Sequence, residues 1–149
     1  MVSYKIQIAS TPEELAAAMQ IRRQVFIEEQ HVPESREQDG KDNESKHVIV
    51  TADNKPIGTA RIRVIENNKI TKIKIERMAV IKEYRSKGIG KQIIQFIETY
   101  AKSTKAKELI AHSQWQAISF YKNSGYKERG EPFYDAGIGH IEMFKRIDI

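Results

Sequence analysis

The chain has 149 residues, of which 40% are hydrophobic and 30% are charged, and it contains no cysteine. This length is typical of one domain and buries enough surface to fold without a disulfide or a metal ion, so we expect a single domain over residues 1–149. A chain without cysteine has no disulfide framework, thiolate zinc site, iron–sulfur cluster or cysteine nucleophile.

The formal charge of +5 is distributed unevenly along the sequence. Residues 28–46 contain seven acidic and three basic side chains, whereas residues 69–91 contain eight basic and two acidic ones. This division suits an anionic ligand at one place and a cationic one at another, and solvated faces without a partner are the alternative. The sequence has no apolar signal segment and no run of about 18 apolar residues, so we expect a soluble, cytoplasmic protein.

The first part of the chain predicts a strand and then a capped helix. Alternating apolar residues indicate a strand at residues 4–8. Thr11, Pro12 and Glu14 then supply an N-cap, a proline in the first turn and a capping-box glutamate, so a helix begins there. The apolar face of this helix is predicted to contain Leu15, Ala18, Met19 and Phe26, with Arg22 as a polar interruption.

A loop and a set of strands are predicted next. The acidic residues 28–45 include Pro33 and Gly40 and show little apolar periodicity, which indicates a loop with one short helical turn. Runs rich in β-branched residues, separated by turn sequences, then predict three strands of an antiparallel meander. These strands are expected at residues 47–52, 57–65 and 70–80.

The second half is predicted to alternate helices and strands. A helix opens at Gly88-Ile89-Gly90, and its apolar stripe consists of Ile89, Ile93, Phe96, Ile97, Tyr100 and Ala101. A buried strand is expected at residues 106–112 and a helix at 115–122, with Gly125 at the helix C-cap. Final strands are expected at residues 126–129 and 140–147, which gives an α/β fold with a mixed sheet.

Residues 80–91 run from a strand through a glycine loop into a helix. A helix N-terminus exposes unpaired backbone N–H groups and a partial positive charge, and phosphates bind there. Gly88 and Gly90 allow the backbone to approach such a phosphate, and glycines kept for tight packing are the alternative. The segment matches neither G-x-x-x-x-G-K-[ST] nor G-x-G-x-x-G. Further positive charge comes from Arg85, Lys87 and Lys91.

Two motifs follow one another in this half of the chain. Arg85-x-x-Gly88-x-Gly90 comes after a strand that ends Met78-Ala79-Val80, and Ala117-x-x-x-Tyr121-x-x-x-Gly125-Tyr126 lies downstream. Together they resemble the GNAT superfamily of acetyl-CoA-dependent N-acetyltransferases. The stretches 25–30 and 135–140 further resemble a subgroup of small bacterial members. The resemblance implies the GNAT fold, α/β (α+β) with a mixed, mostly antiparallel sheet of about six to seven strands flanked by about four helices.

The same resemblance implies a coenzyme A site. Backbone amides from Arg85 to Lys91 hold the pyrophosphate, and the backbone of Met78–Val80 pairs with the pantetheine arm and polarises the thioester carbonyl. Gln114 occupies a position that is often asparagine in the superfamily, and its amide can make a similar coenzyme contact. The predicted coenzyme-binding residues are Met78, Ala79, Val80, Arg85, Ser86, Lys87, Gly88, Ile89, Gly90, Lys91 and Gln114.

Two residues are predicted to act in catalysis. The resemblance places Tyr121 near the coenzyme sulfur as an acid for the departing thiolate, and a core aromatic is the alternative. An amine nucleophile must lose a proton before it attacks, so a base is needed. Glu76 is the candidate base, because strand alternation puts it on the same face as Met78 and Val80, although it could instead pair with Lys74 or Arg77.

The function implied by the resemblance is N-acetylation, with acetyl-CoA as co-substrate and no metal. The acetyl group is transferred directly to a primary amine of an unidentified small-molecule or peptide acceptor, which the acidic residues 28–44 help to recruit. A homodimer is common in the family. The alternatives are a non-catalytic acyl-CoA-binding sensor or interaction module and, less favoured because aromatic residues are sparse in the basic stretch, a nucleic-acid-binding protein.

The four histidines lie on different elements without the spacing of metal ligands, so structural roles are expected for them. His112, at the end of the predicted strand before Gln114, is the histidine expected to line the acceptor cleft.

Overall fold

The structure, a computed structural model, describes residues 1–147, which form seven strands and four α-helices. The strands are β1 (Tyr4–Ile8), β2 (Lys46–Ala52), β3 (Lys55–Asn67), β4 (Ile70–Val80), β5 (Glu108–Gln114), β6 (Lys127–Asp135) and β7 (Ile138–Arg146). The α-helices are α1 (Pro12–Arg22), α2 (Glu34–Glu37), α3 (Ile89–Lys102) and α4 (Ile118–Asn123). A π-helix (Arg23–Glu29) continues α1, and short 3-10 turns occupy Asp42–Glu44, Lys82–Tyr84 and Trp115–Ala117.

The seven strands of the described chain form one sheet in the order β1-β2-β3-β4-β5-β7-β6. The pairs β1–β2, β2–β3, β5–β7 and β6–β7 are antiparallel, whereas β4 and β5 are parallel. A parallel pair needs a crossover connection, and α3 supplies it. The mixed, mostly antiparallel sheet with four helices confirms the predicted fold class.

The residues cluster into two compact units. Unit 1 contains Met1–Ile62 and Arg77–Phe96. Unit 2 contains Arg63–Glu76 and Ile97–Ile149, of which residues up to 147 are described. The expectation of a single domain over residues 1–149 stays a prediction.

Local sequence signals correctly predicted where the first helix starts and where the last helix ends. The Thr11 hydroxyl accepts a hydrogen bond from the Glu14 amide at 3.1 Å, and the Glu14 carboxylate accepts one from the Thr11 amide at 3.2 Å. This is the predicted capping box. At the other end, Gly125 has φ +93°, and the amide of Tyr126 donates to the carbonyl of Tyr121 at 3.0 Å, as in a helix ended by a left-handed glycine.

The buried face of α1 differs from the predicted one. Ala18, Ile21, Arg22 and Val25 are buried, at the helical spacing i, i+3, i+4 and i+7. Leu15, predicted to be inside, is 38% exposed, so the prediction was wrong at that residue. Arg22, the polar interruption on the predicted face, is 1% exposed. An arginine is tolerated on this face because its charge is fully paired there.

Strand β6 is longer than the sequence predicted. β6 continues to Asp135, although residues 126–129 were the expected strand. Its side chains are mostly exposed, and its register with β7 shifts between Arg129 and Phe133, where Gly130 and Pro132 lie. A polar edge strand with an irregular register has no clean alternation of apolar residues, which is the signal the prediction relied on.

A cluster of buried charges holds the acidic loop of unit 1. We define the arginine–carboxylate cluster as Arg22, Arg61, Arg77, Glu37, Asp39 and Asp42. Arg22 donates to the Glu37 carboxylate at 2.9 and 3.0 Å and to Asp42 at 2.7 Å. Arg61, which is fully buried, donates to both carboxylate oxygens of Asp39 at 2.8 Å and to Asp42 at 3.0 Å.

Arg77 joins the same cluster from β4. Its guanidinium donates to Glu37 at 3.0 Å and to Asp39 at 3.3 Å, and its backbone has the left-handed value φ +53°. Hydrogen bonds from Arg61 hold the pKa of Asp39 well below its usual range. Burial alone would raise the pKa of Asp42, but hydrogen bonds from Arg22 and Arg61 outweigh it and lower the pKa.

We predict that Arg61→Ala lowers the free energy of unfolding by about 3–5 kcal/mol, because it removes a fully buried guanidinium and one of the two arginine partners of both Asp39 and Asp42. The measurement is urea-induced unfolding at neutral pH. Arg23→Ala is the matched control, because Arg23 pairs with Glu34 at the surface at 2.7 Å. That variant is expected to lose less than about 1 kcal/mol, and equal losses in both variants would contradict a special role for the cluster.

Candidate active site

The predicted phosphate-binding segment of unit 1 has the expected backbone. β4 ends at Val80, a 3-10 turn follows, and α3 begins at Ile89. The first helical hydrogen bond runs from the Gln92 amide to the Gly88 carbonyl at 3.1 Å. The amides of the three residues before Gln92 therefore precede the first intrahelical bond, as at any helix N-terminus. These amides belong to Ile89, Gly90 and Lys91.

Gly88 is required by its conformation. Its φ is +81°, and a Cβ added there would meet no atom within 4 Å. Tight packing, the alternative explanation for this glycine, therefore does not apply at this position. Ser86, two residues earlier, is also left-handed with φ +62°. The loop thus bends through two left-handed residues and leaves open space beside its backbone.

The side chain of Arg85 is used to hold the loop. Its Nε donates to the Val80 carbonyl at 2.8 Å, and its two terminal nitrogens donate to the carboxylate of Glu29, one of them at 2.8 Å. These hydrogen bonds lower the pKa of Glu29 and raise that of Arg85. The positive charge expected from Arg85 is therefore neutralised by Glu29, the last residue of the π-helix. The exposed cations of the segment are Lys82, Lys87 and Lys91.

Met78–Val80 follow the left-handed Arg77 in β4. Ala79 is buried, whereas Met78 and Val80 are partly exposed on the opposite face. The parallel register of β4 with β5 runs from Lys72, opposite Glu108, to Ile75, opposite Ala111. The predicted coenzyme-pairing residues thus come after the stretch of β4 for which this register is defined.

Glu76, in unit 2, is held by two cations. Its carboxylate accepts hydrogen bonds from Arg63 at 2.9 and 3.2 Å, and Lys74 lies 3.2 Å from it. The alternative partner Lys74 is therefore present, whereas Arg77 pairs with Glu37 and Asp39.

Tyr121 lies on α4 in unit 2 and is 8% exposed. Its ring makes edge-to-face contacts with Phe120, at 5.1 Å between centroids, and with Tyr126, at 5.6 Å. Burial raises the pKa of Tyr121 to about 12. Its hydroxyl therefore stays protonated at physiological pH and is a hydrogen-bond donor.

Gln114 is the last residue of β5, partly exposed, and lies opposite His140 of β7. Its side-chain oxygen accepts a hydrogen bond from the side-chain amide of Gln116. The rest of its amide can still contact a ligand.

The histidines have different surroundings. His31 is exposed, His47 is buried and donates to the Asp42 carbonyl at 3.0 Å, and the Nδ1 of His140 donates to the Ile138 carbonyl at 2.7 Å. His112 contacts Glu142, a residue that sequence reasoning missed because β5 and β7 are distant in the chain. Within residues 1–147 no group of three or more His, Asp or Glu side chains is arranged to hold a metal ion.

Most acidic side chains of residues 28–46 form ion pairs with arginines of the same chain. Five of the seven acids form ion pairs, at distances from 2.5 to 3.3 Å. They are Glu29, Glu34, Glu37, Asp39 and Asp42. This pairing leaves little net charge for the predicted recruitment of a cationic acceptor.

Unit 1 also has an open groove of about 460 Å³ beside α1. Its lining includes Met19, Arg23, Ile27, Gln38 and Asn43. None of the predicted coenzyme-binding residues lines it.

Comparison with known proteins identifies the family. The model of the acetyltransferase (GNAT) domain matches residues 7–147. The chain therefore belongs to the GNAT acetyltransferase family, as the motifs predicted. Over the described residues, no helix is both long enough and apolar enough to span a membrane.

Individual relatives agree with this assignment. The chain is 39% identical to a Bacillus subtilis protein named an uncharacterized N-acetyltransferase, YjcF, over 95% of this chain and 99% of the relative. A Lactobacillus plantarum protein, provisionally named an N-acetyltransferase, superposes with a TM-score of 0.89 at 26% identity, over 97% and 99% of the two chains. An aminoglycoside 6′-N-acetyltransferase complexed with coenzyme A shares the fold, with a TM-score of 0.78 at 14% identity over 97% and 98% of the chains.

Proposed function

We propose that this protein is an N-acetyltransferase that transfers the acetyl group of acetyl-CoA directly to a primary amine of a small-molecule or peptide acceptor. The observation that carries the proposal is the segment from Met78 to Lys91. It combines a strand end, a left-handed glycine with open space beside it, the first amides of a long helix and exposed lysines.

Each part of this segment suits one part of acetyl-CoA. The amides from Ser86 to Lys91 can donate to the pyrophosphate, whereas the Arg85 amide, also predicted to bind it, already donates to the Lys82 carbonyl at 3.3 Å. Lys87 and Lys91 add positive charge that forms no ion pair within residues 1–147. The backbone of Met78–Val80 can pair with the pantetheine arm, and one of its amides can stabilise the oxyanion that forms on the thioester carbonyl. Gln114 is proposed as a further coenzyme contact. The coenzyme A complex of the aminoglycoside acetyltransferase supports this ligand class.

Tyr121 is proposed to assist the leaving group. A thiol has a pKa of about 8.5, so complete proton transfer from a tyrosine with a pKa of about 12 is unfavourable. A hydrogen bond from the hydroxyl to the developing thiolate needs no transfer and still stabilises the transition state. The role proposed for Tyr121 is therefore that of a donor in this hydrogen bond.

Glu76 remains the residue that sequence reasoning proposes as the base. Its carboxylate is ion-paired with Arg63 and Lys74, which leaves fewer of its oxygen lone pairs open to the proton of an acceptor amine.

The alternative is a protein that binds acyl-CoA without turnover. Thiol release separates the two functions. We predict that acetyl-CoA raises the melting temperature by ligand linkage, and that adding an amine from a panel of spermidine, glucosamine, kanamycin and a peptide with a free N-terminus releases coenzyme A thiol. A thermal shift without thiol release for any amine would favour the binding module, and the absence of both would contradict the proposed coenzyme site.

Gly88→Ala and Gly40→Ala form a matched pair for the coenzyme site. Both glycines are exposed, have φ near +80°, and would place an added Cβ in open space. A left-handed alanine costs about 1–2 kcal/mol at either position, but only the Gly88 change distorts the proposed phosphate loop. A weaker thermal shift with acetyl-CoA is therefore expected for Gly88→Ala alone.

Tyr121→Phe tests the leaving-group role. The variant removes only the hydroxyl, so kcat is expected to fall about tenfold, the worth of one hydrogen bond made in the transition state, with the KM for acetyl-CoA unchanged. The measurement is steady-state thiol release with the best amine of the panel. An unchanged kcat would contradict the leaving-group role and leave Tyr121 as a core aromatic residue.

A further inference from the structure

One face of unit 2 brings several ionisable side chains together. Ile75 of β4 lies opposite Ala111 of β5, and both are buried. The next residue of each strand points to the other face, so Glu76 and His112 share that face. On the other side of β5, Glu142 of β7 lies directly opposite His112.

His112 and Glu142 form a hydrogen-bonded pair. The Nε2 atom of His112 lies 3.3 Å from Oε1 of Glu142. A carboxylate only accepts hydrogen bonds, so Nε2 carries the proton of the neutral ring and Nδ1 carries the lone pair. Within the described chain, Nδ1 has no hydrogen-bond partner, and the His112 side chain is 36% exposed, so an acceptor from solution can reach it.

The surroundings keep the ring in place. Arg129 of β6 donates to the other oxygen of Glu142 at 2.7 Å, which orients that carboxylate. The ring of Phe133 meets the His112 ring edge-on, with 5.1 Å between centroids. The ring of His140 stacks in turn on Phe133, with 5.7 Å between centroids. The imidazole is therefore oriented by a carboxylate that is itself oriented, as is common for catalytic histidines.

The charges that face His112 come from three strands. Burial is the largest cause that lowers its pKa, and the positive charge of Lys74 lowers it further. Glu142 and Glu76 act in the opposite direction, Arg129 is paired with Glu142, and the net pKa lies below the usual 6.5. The ring is therefore neutral at pH 7, which is the form that can accept a proton.

We infer that His112 is the catalytic base of this enzyme, that its Nδ1 takes the proton from the acceptor ammonium, and that Glu142 is its positioning residue. This inference rests on the proposed function. It assigns the acceptor to the polar face of unit 2 that Glu76, His112 and Glu142 form.

The proton and electron balance of the step is complete. The acceptor ammonium gives one proton to Nδ1, and the freed amine attacks the thioester carbonyl carbon. The new C–N bond forms, the C–S bond breaks, and the coenzyme leaves as a thiolate that takes up the second amine proton. The His112 imidazolium, stabilised by Glu142, then releases its proton to solvent, so the net products are the acetamide, coenzyme A thiol and one proton.

The test is the pH dependence of kcat/KM for His112→Gln, measured by thiol release with the most active amine of the panel. At pH 7 we expect a loss of about 100-fold or more, the usual contribution of a general base. The loss should shrink as pH rises toward the pKa of about 10 of the free amine, because the amine then needs no base. His31→Asn, a change at an exposed histidine outside this cluster, is the control and should keep the wild-type rate.

The binding of acetyl-CoA separates a folding defect from a catalytic one. His112→Gln should retain the wild-type thermal shift with acetyl-CoA. A wild-type rate and pH profile in His112→Gln would overturn the role of His112 while leaving the proposed function intact. A wild-type protein without thiol release for any amine would instead overturn the proposed function and this inference with it.

Glu142→Gln supplies an independent readout. The amide oxygen can still accept from Nε2, but the negative charge that raises the His112 pKa is gone. The acidic limb of the kcat/KM profile should therefore move to lower pH than in the wild type, and the maximal rate should fall because the imidazolium is less stabilised. Glu128→Gln, at an exposed acid on β6, is the matched control. An acidic limb that stays in place in Glu142→Gln would overturn the assignment of that limb to His112.

Discussion

The arginine–carboxylate cluster is the constraint on which unit 1 depends. Three arginines from α1, β3 and β4 meet three carboxylates of residues 37–42, and half of these six groups are buried. Charges taken out of water are costly unless each has its partner, and in this arrangement all six are paired. The left-handed backbone of Arg77, unfavourable for a residue with a Cβ, is tolerated because it brings its guanidinium to Glu37 and Asp39.

Arginines and lysines have different places in unit 1. Arginine, with its planar fork of donors, takes the buried or bidentate positions, as Arg85 does on Glu29. Lysines remain exposed at the start of α3, where a polyanionic ligand would need mobile positive charge. The net charge of the chain is therefore a poor guide to its ligand, because the acids of residues 28–46 and many of the arginines cancel inside the protein. The exposed cations of the proposed coenzyme segment are Lys82, Lys87 and Lys91.

The sequence predicted the features that a few neighbouring residues determine. The capping box of Thr11 and Glu14 and the left-handed Gly125 are such features, because their hydrogen bonds close within one helical turn. The pairing of Arg22 with Glu37 and the contact of Glu142 with His112 were missed, because each depends on a partner from a distant part of the chain. The motifs of the family predicted the fold, and the coenzyme segment that they indicate stays a prediction. No local pattern reveals which carboxylates are already paired.

Binding of the coenzyme by residues 78–91 is tested most directly by titrating coenzyme A into isotope-labelled protein and following the backbone amide resonances. This measurement needs no knowledge of the acceptor. We expect the largest shifts at Met78–Val80 and at the amides from Ser86 to Lys91. Shifts concentrated on the groove beside α1, at Met19 or Asn43, or no saturable shifts at all, would contradict it.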